Sequence, residues 1–217
     1  MAERETYHHG DLRQALIEAA LTLISEKNVE SISLRDVARR VGVSHAAPYR
    51  HFADKDTLLA AVATEGFQLL HDALEEAAHN VRDHPLKQLQ DIGIAYVHFA
   101  LSHSSHYRLM FGAYRTTASQ QPDNLAEAVE NAFMVLVNAI IRGQKVGVMR
   151  ADDPRQLAQA AWALVHGLAM LLMDGQISEM NAQSVKSLST AVTQLLIEGI
   201  AIAVKNEIPD FFKKSGI

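Results

Sequence analysis

Three histidines, His98, His103 and His106, lie close together and invite a reading as metal ligands. Their spacings of five and three send them around a helix instead of along one face, and no carboxylate adjoins them in sequence. Structural or surface roles therefore fit them better than ligation. Nucleophilic and phosphate chemistry have no foothold either: there is no GxSxG, glycine-rich phosphate loop, HExxH or dinucleotide fingerprint. Cysteine is absent, which removes thiolate catalysis, zinc fingers, iron–sulfur clusters and disulfides. No enzyme activity, metal or cofactor is expected. What remains is recognition. Residues 33–55 carry five basic side chains, Arg35, Arg39, Arg40, Arg50 and Lys55, against two acidic ones, Asp36 and Asp54, with Tyr49 and His51 among them. This segment is +3 in a chain of net charge −5, leaving −8 elsewhere. A basic edge on an acidic body steers a polyanion to one surface. The same arginines could equally decorate a solvated helical hairpin, and charge alone leaves both readings open.

The elements that must position these residues read as helices. In 217 residues there are only 11 glycines and 5 prolines, and no Asn-Gly or Asp-Gly turn separates alternating strands. Leu12, Leu16, Ala19 and Leu23 form one face of a first helix ending near Lys27, where Asn28 suits a left-handed closing residue. Ser33 and Asp36 form a capping box for a second helix, with Leu34, Val37, Ala38 and Val41 inward and Gly42 as its stop. A short third helix opens at Ser44 and ends by Phe52, a core residue. Asp54 caps a fourth, with the stripe Leu58, Val62, Gly66, Leu69, Ala73 and Ala77. Further helices are predicted over about 87–103, 105–112, 124–146, 154–173 and 184–205, the Asp153-Pro154 pair being a strong start signal. Residues 113–123 read as a mobile loop.

Two short helices joined by Gly42-Val43 make a helix-turn-helix, in which the second helix enters the major groove. The run SISLRDVARRVGVSHAAPYRHFADKDTLLAAV, residues 31–62, resembles the DNA-binding region of the tetracycline-repressor (TetR) family. It matches in the small-residue helix DVARRVGVS and in Tyr49, His51, Phe52, Lys55 and Leu58-Leu59. The resemblance implies DNA contacts from Ser33, Arg35, Ser44, His45, Ala46, Tyr49, His51 and Lys55. Arg35, Tyr49, His51 and Lys55 would hold phosphates, while His45 and Ala46 meet base edges. Asn28 replaces the family's usual glycine, which its backbone tolerates. Pro48 is a sharper departure: it deletes a hydrogen bond to Ser44 and biases Ala47 away from helical geometry, so a bent recognition helix is expected.

SHSSHYRLMFGAYR (102–115) and AWALVHGLAMLLMDG (161–175) resemble the C-terminal regulatory domain of TetR-type proteins with a Trp-His-Gly signature, here Trp162, His166 and Gly167. Relatives usually have His-Pro where this chain has His103-Ser104. The resemblance implies a cavity for a small, mostly apolar effector. Tyr96, Phe99, Met110, Phe111, Phe133, Trp162 and Met170 are candidates for its wall, and His103 and His166, with His98 and Tyr114, for its polar anchors. For any one of them, plain core packing is the competing reading.

Residues 157–173 hold 14 apolar side chains in 17, too many for one buried stripe. The segment is short for a membrane span and lacks basic flanks, and the polar opening MAERETYHHGDLR is unlike a secretion signal, so a cytoplasmic protein is expected. Pairing of helices 154–173 and 184–205 with those of a second copy would cover the surplus and give a homodimer. The whole is an all-α chain with a three-helix head over residues 1–56 and a ligand-binding and dimerisation body over 57–217. Its expected function is that of a repressor released from a palindromic double-stranded DNA operator by its effector. The alternative is a helical adaptor that has lost specific DNA recognition.

Overall fold

The computed structural model describes residues 9–27, 29–79, 81, 83–112, 122–177 and 181–201. Among the described residues eight α-helices follow in order: α1 His9–Glu26, α2 Leu34–Val41, α3 Lys55–His79, α4 Pro85–Ser102, α5 Ser104–Phe111, α6 Asp123–Lys145, α7 Pro154–Met173 and α8 Ala182–Ile200. Among the described residues the sole extended pairing is an isolated bridge between Met149 and Ala201, which pins the end of α8 beside the α6–α7 connection. Asn28, Tyr114 and Ile202, and nearly all of the loop expected over 113–123, lie outside the described residues.

Local chemistry explains most of the boundaries. The Ser33 hydroxyl accepts from the Asp36 amide at 3.3 Å and the Asp36 carboxylate accepts from the Ser33 amide at 3.1 Å, closing the expected capping box. Gly42 ends α2 in the left-handed region, φ 80°, where a β-carbon is strained. Asp153 accepts from the amides of Arg155 and Gln156 and Pro154 opens α7, because proline at the first helical position forfeits no bond.

Two expectations need correction. Residues 44–52 do not form a third α-helix. They run through tight turns into a 3₁₀ turn over Pro48–Arg50, and Ala47 keeps helical geometry (φ −62°, ψ −43°). Pro48 stands first in that turn, so its missing N–H costs nothing there. The flanking bonds are of the i to i−3 kind, Ala47 N–H to Ser44 O at 3.0 Å and Arg50 N–H to Ala47 O at 3.2 Å, and bypass it. The buried stripe of α3 also differs from the expected one. It runs Leu58, Val62, Gly66, Leu70, Leu74 and Ala78, while Leu69 is exposed and Ala73 and Ala77 only partly buried. Steps of four drift slowly around a long helix, so its inner face turns from the head towards the body.

α3 joins the two parts. Its first turns share a core with Leu16, Ile17 and Ala20 of α1 and Leu34 and Val37 of α2, sealed by Phe52, which is 2% exposed. Its later turns pack on α4, α5 and α6, while α4 also contacts α7 and α8. Gly66 sets the α3–α5 approach: a β-carbon there would lie 2.6 Å from Met110 Sδ and 3.2 Å from His106 Cδ2. By length and composition α6 and α7 could cross a membrane, but each contributes a buried face to the core.

Candidate functional site

The head exposes a run of side chains on the turns after α2. Ser44, His45, Ala46, Tyr49 and Arg50 are exposed together on the turns after α2, Tyr49 by 53%, while Pro48 and Phe52 point inward. The tight 3₁₀ path rests on those two buried side chains, which leaves the polar ones to solvent. Arg35 is exposed, and neither it nor Arg50 has a side-chain partner among the described residues. Arg39 and Arg40 instead pair with Asp36 and Glu26. Those contacts hold both carboxyls below the usual range, Asp36 chiefly through the Ser33 hydroxyl and Glu26 chiefly through the Arg40 guanidinium. Ser33 is half-buried with its hydroxyl engaged by Asp36, His51 is half-buried beside Phe52, and Lys55 donates to the Glu30 carbonyl at 2.8 Å. Arg50 counts towards the basic edge in the sequence but is given no contact of its own there, although its place one residue past Tyr49 on a short turn is the available signal.

Side chains from each of α3 to α8 line a cavity of about 230 Å³. Of the residues expected to wall it, Tyr96, Phe111, Phe133 and Trp162 line it. Phe99 is buried elsewhere and stacks on the His103 ring at 4.6 Å, with His103 itself exposed. Met110 packs against Gly66, and Met170 and His98 are not among the lining residues. The remaining wall comes from residues whose role periodicity did not mark, among them Phe67, Leu70, Ile92, Leu136 and Val165. Arg155, Gln159 and Trp162 line it from α7, and His166 continues the same face. The spacing of four, three and four is the sequence signal that could have joined them.

Beneath the cavity four side chains close a polar cluster. Trp162 Nε1 donates to the Tyr96 hydroxyl at 3.0 Å. That hydroxyl lies 3.0 Å from both Tyr107 Oη and His166 Nδ1, and Tyr107 Oη lies 2.7 Å from the same Nδ1. Both hydroxyl protons find acceptors inside this triangle when Nδ1 accepts, which assigns the Nε2–H tautomer to His166 from the hydrogen-bond pattern. Burial raises the Tyr96 hydroxyl to about 12 and pushes Tyr107 up as well, so both stay protonated donors. One residue before Tyr107 on α5, His106 Nε2 meets Glu65 at 3.3 Å, and Glu65 accepts from Gln14 of α1 at 3.0 Å. A carboxylate does therefore adjoin one of the three histidines, supplied by α3 from 41 residues away. Burial nevertheless pulls the His106 imidazole below its ordinary value. Among the described residues no group of three or more His, Cys, Asp or Glu could hold a metal ion.

Residues 16–62 match the model of the bacterial regulatory proteins of the tetR family, and residues 89–195 that of the tetracyclin repressor-like C-terminal domain. A Rhodococcus sp. RHA1 structure described as a protein of unknown function is 33% identical, covering 91% of this chain and all of that one, with a TM-score of 0.80. The TetR-family regulator PfmR of Thermus thermophilus superposes with a TM-score of 0.68 at 20% identity, over 84% of this chain and 97% of that one. An uncharacterised HTH-type transcriptional regulator of Haemophilus influenzae is 36% identical over 70 residues, 32% of this chain; the match spans about a third, 34%, of that relative's length. The exposed turns after α2 and most of the cavity wall thus fall within the two family matches, and the chain belongs to the TetR family of DNA-binding transcriptional regulators.

Proposed function

We propose that the protein is a cytoplasmic repressor that releases a palindromic operator when a small, largely apolar effector fills the cavity above the Tyr96–Tyr107–His166 cluster. In this reading residues 1–56 act as the DNA-binding head and residues 57–217 as the sensing and dimerisation body. One observation carries it: α3 begins at Lys55 beside the exposed turns and reaches the cavity wall through Phe67, Leu70 and Leu74. An effector that favours one tilt of α3 thereby favours one spacing of two heads. The DNA contacts would be Ser44, His45, Ala46 and Tyr49 at the groove, with Arg35, Arg50 and His51 on phosphates and Ser33 and Lys55 holding the frame. His103, Phe99, Met110 and Met170 would support the wall from behind. A homodimer through α7 and α8 is supported by exposed Leu164, Leu171 and Leu195, and by the open space at Gly167 and Gly199 that lets backbones approach.

Footprinting on DNA flanking the gene, with competitor duplex and a salt titration, tests the DNA arm. Specific protection that weakens steeply with salt is expected. Arg50→Ala should weaken binding to all sequences and lower the salt slope by about 1, whereas His45→Ala should change preference among sequences. Equal binding to the protected and random duplexes would leave the adaptor alternative standing.

A further inference from the structure

We infer that the effector is a compact monocarboxylic acid with an apolar, ring-bearing tail, its carboxylate held at the cavity mouth by Arg155 and Gln159. This rests on the reading of the cavity as the effector site. No buried side-chain nitrogen or oxygen among the described residues lacks a partner. In the wall the Tyr96 hydroxyl is saturated by Trp162, Tyr107 and His166, and the Thr193 hydroxyl donates back to Ser189 O at 2.8 Å. The wall offers a ligand no free hydrogen-bond donor, so the part inserted there is chiefly apolar.

Polar recognition is confined to the mouth. There Arg155 makes a two-pronged pair with Glu130, 2.7 and 3.1 Å, and its guanidinium sits 5.2 Å over the Phe133 ring. Gln159, one turn along α7, lines the same cavity, and its amide has no partner among the described residues. The pair is half exposed on both sides, so opening it costs little. The two charged ligands it could admit are not equivalent. An ammonium must evict the guanidinium from both Glu130 and Phe133, and then only reproduces what the guanidinium already had. A carboxylate displaces only Glu130, which swings to solvent. It keeps the guanidinium over Phe133 and adds the Gln159 amide as a further donor. Glu130 thus occupies the place of the ligand's own carboxylate.

Dimensions set the tail. Arg155 and Trp162 are seven residues apart on one helix, about 10 Å along its axis. An apolar cavity of about 150 Å³ admits benzene, so 230 Å³ takes one ring with a short chain.

The test uses three isosteres, phenylbutyrate, phenylbutanol and phenylbutylamine, each with the ring on its terminal carbon, titrated into the full-length protein. Trp162 is the sole tryptophan and lines the cavity, so its emission reports occupancy directly. Phenylbutyrate should bind at least about tenfold tighter than the other two. Arg155→Met should abolish that preference, Gln159→Leu should weaken the acid alone about threefold, and Glu130→Gln should tighten it about three- to tenfold by removing the competitor. The amine binding tightest, with Glu130→Gln weakening it, would overturn the proposal, as would the alcohol binding tightest regardless of Arg155. In both cases the cavity is occupied and its reading as the effector site stands. Silence of Trp162 with all three compounds would overturn the two together.

Discussion

Removing one hydroxyl at a time from the cluster beneath the cavity should give unequal costs, because the partners left behind differ. Tyr96→Phe deprives Trp162 Nε1 of its acceptor, 3.0 Å away, and leaves an indole N–H facing an apolar wall. The Tyr107–His166 bond of 2.7 Å survives. An unsatisfied buried donor costs about 1–3 kcal/mol, on top of about 1 kcal/mol for the bond itself. Tyr107→Phe removes an equally buried oxygen, but the Tyr96 proton can then turn to His166 Nδ1 at 3.0 Å, and Trp162 keeps its acceptor. Only a net bond of about 1 kcal/mol is lost. Tyr96→Phe should therefore exceed Tyr107→Phe by about 1–3 kcal/mol, a difference of roughly 2–12 °C in melting temperature for a chain of this size. Urea unfolding followed by far-ultraviolet circular dichroism at one fixed protein concentration measures both, since the stability of the proposed dimer would depend on concentration. Trp162 emission should also shift in Tyr96→Phe alone. Equal losses, or a larger loss in Tyr107→Phe, would show that the proton assignment of the triangle is wrong.

Gly66→Val should destabilise by about 1–3 kcal/mol, because the added atoms meet Met110 and His106 where even a β-carbon lies 2.6 Å from sulfur; restoration by Met110→Ala in a double-mutant cycle checks the contact. His106 has its imidazole depressed by burial, so the unfolded chain takes up its proton first on acidification. That increment of stability is complete above the unfolded value near 6.5 and is lost as pH falls towards the folded one. His106→Gln, which keeps a donor towards Glu65, should flatten the stability profile over that window, as read by urea titrations at stepped pH. Leu188→Glu with Leu195→Glu should yield monomers that bind operator poorly, as sedimentation and gel-shift assays would show, and a wild-type monomer at micromolar concentration would refute the proposed interface.

Sequence alone determined the helix boundaries wherever the determinant is local. Ser33 with Asp36, Gly42 and Asp153-Pro154 act on backbone groups within four residues, so their chemistry can be read without knowing the fold. The head's exposed residues were legible for the same reason, since a turn so short leaves few ways to bury Phe52 without presenting Ser44, His45 and Tyr49. Pro48 misled because a statistical bias against helical geometry at Ala47 yields when proline heads a turn whose bonds bypass its nitrogen. The cavity was legible only as a composition of rings. Tyr96 meets His166 across 70 residues, Trp162 meets Tyr96 across 66 and Arg155 meets Glu130 across 25. No sequence period encodes which faces of separate helices will touch. Gly66 decides the α3–α5 approach, and the drift of the α3 stripe decides which of its side chains face the body. Phe99 and Met110 are as apolar as Phe111, yet packing across α3, α4 and α5 turned them into core and left Phe111 on the wall.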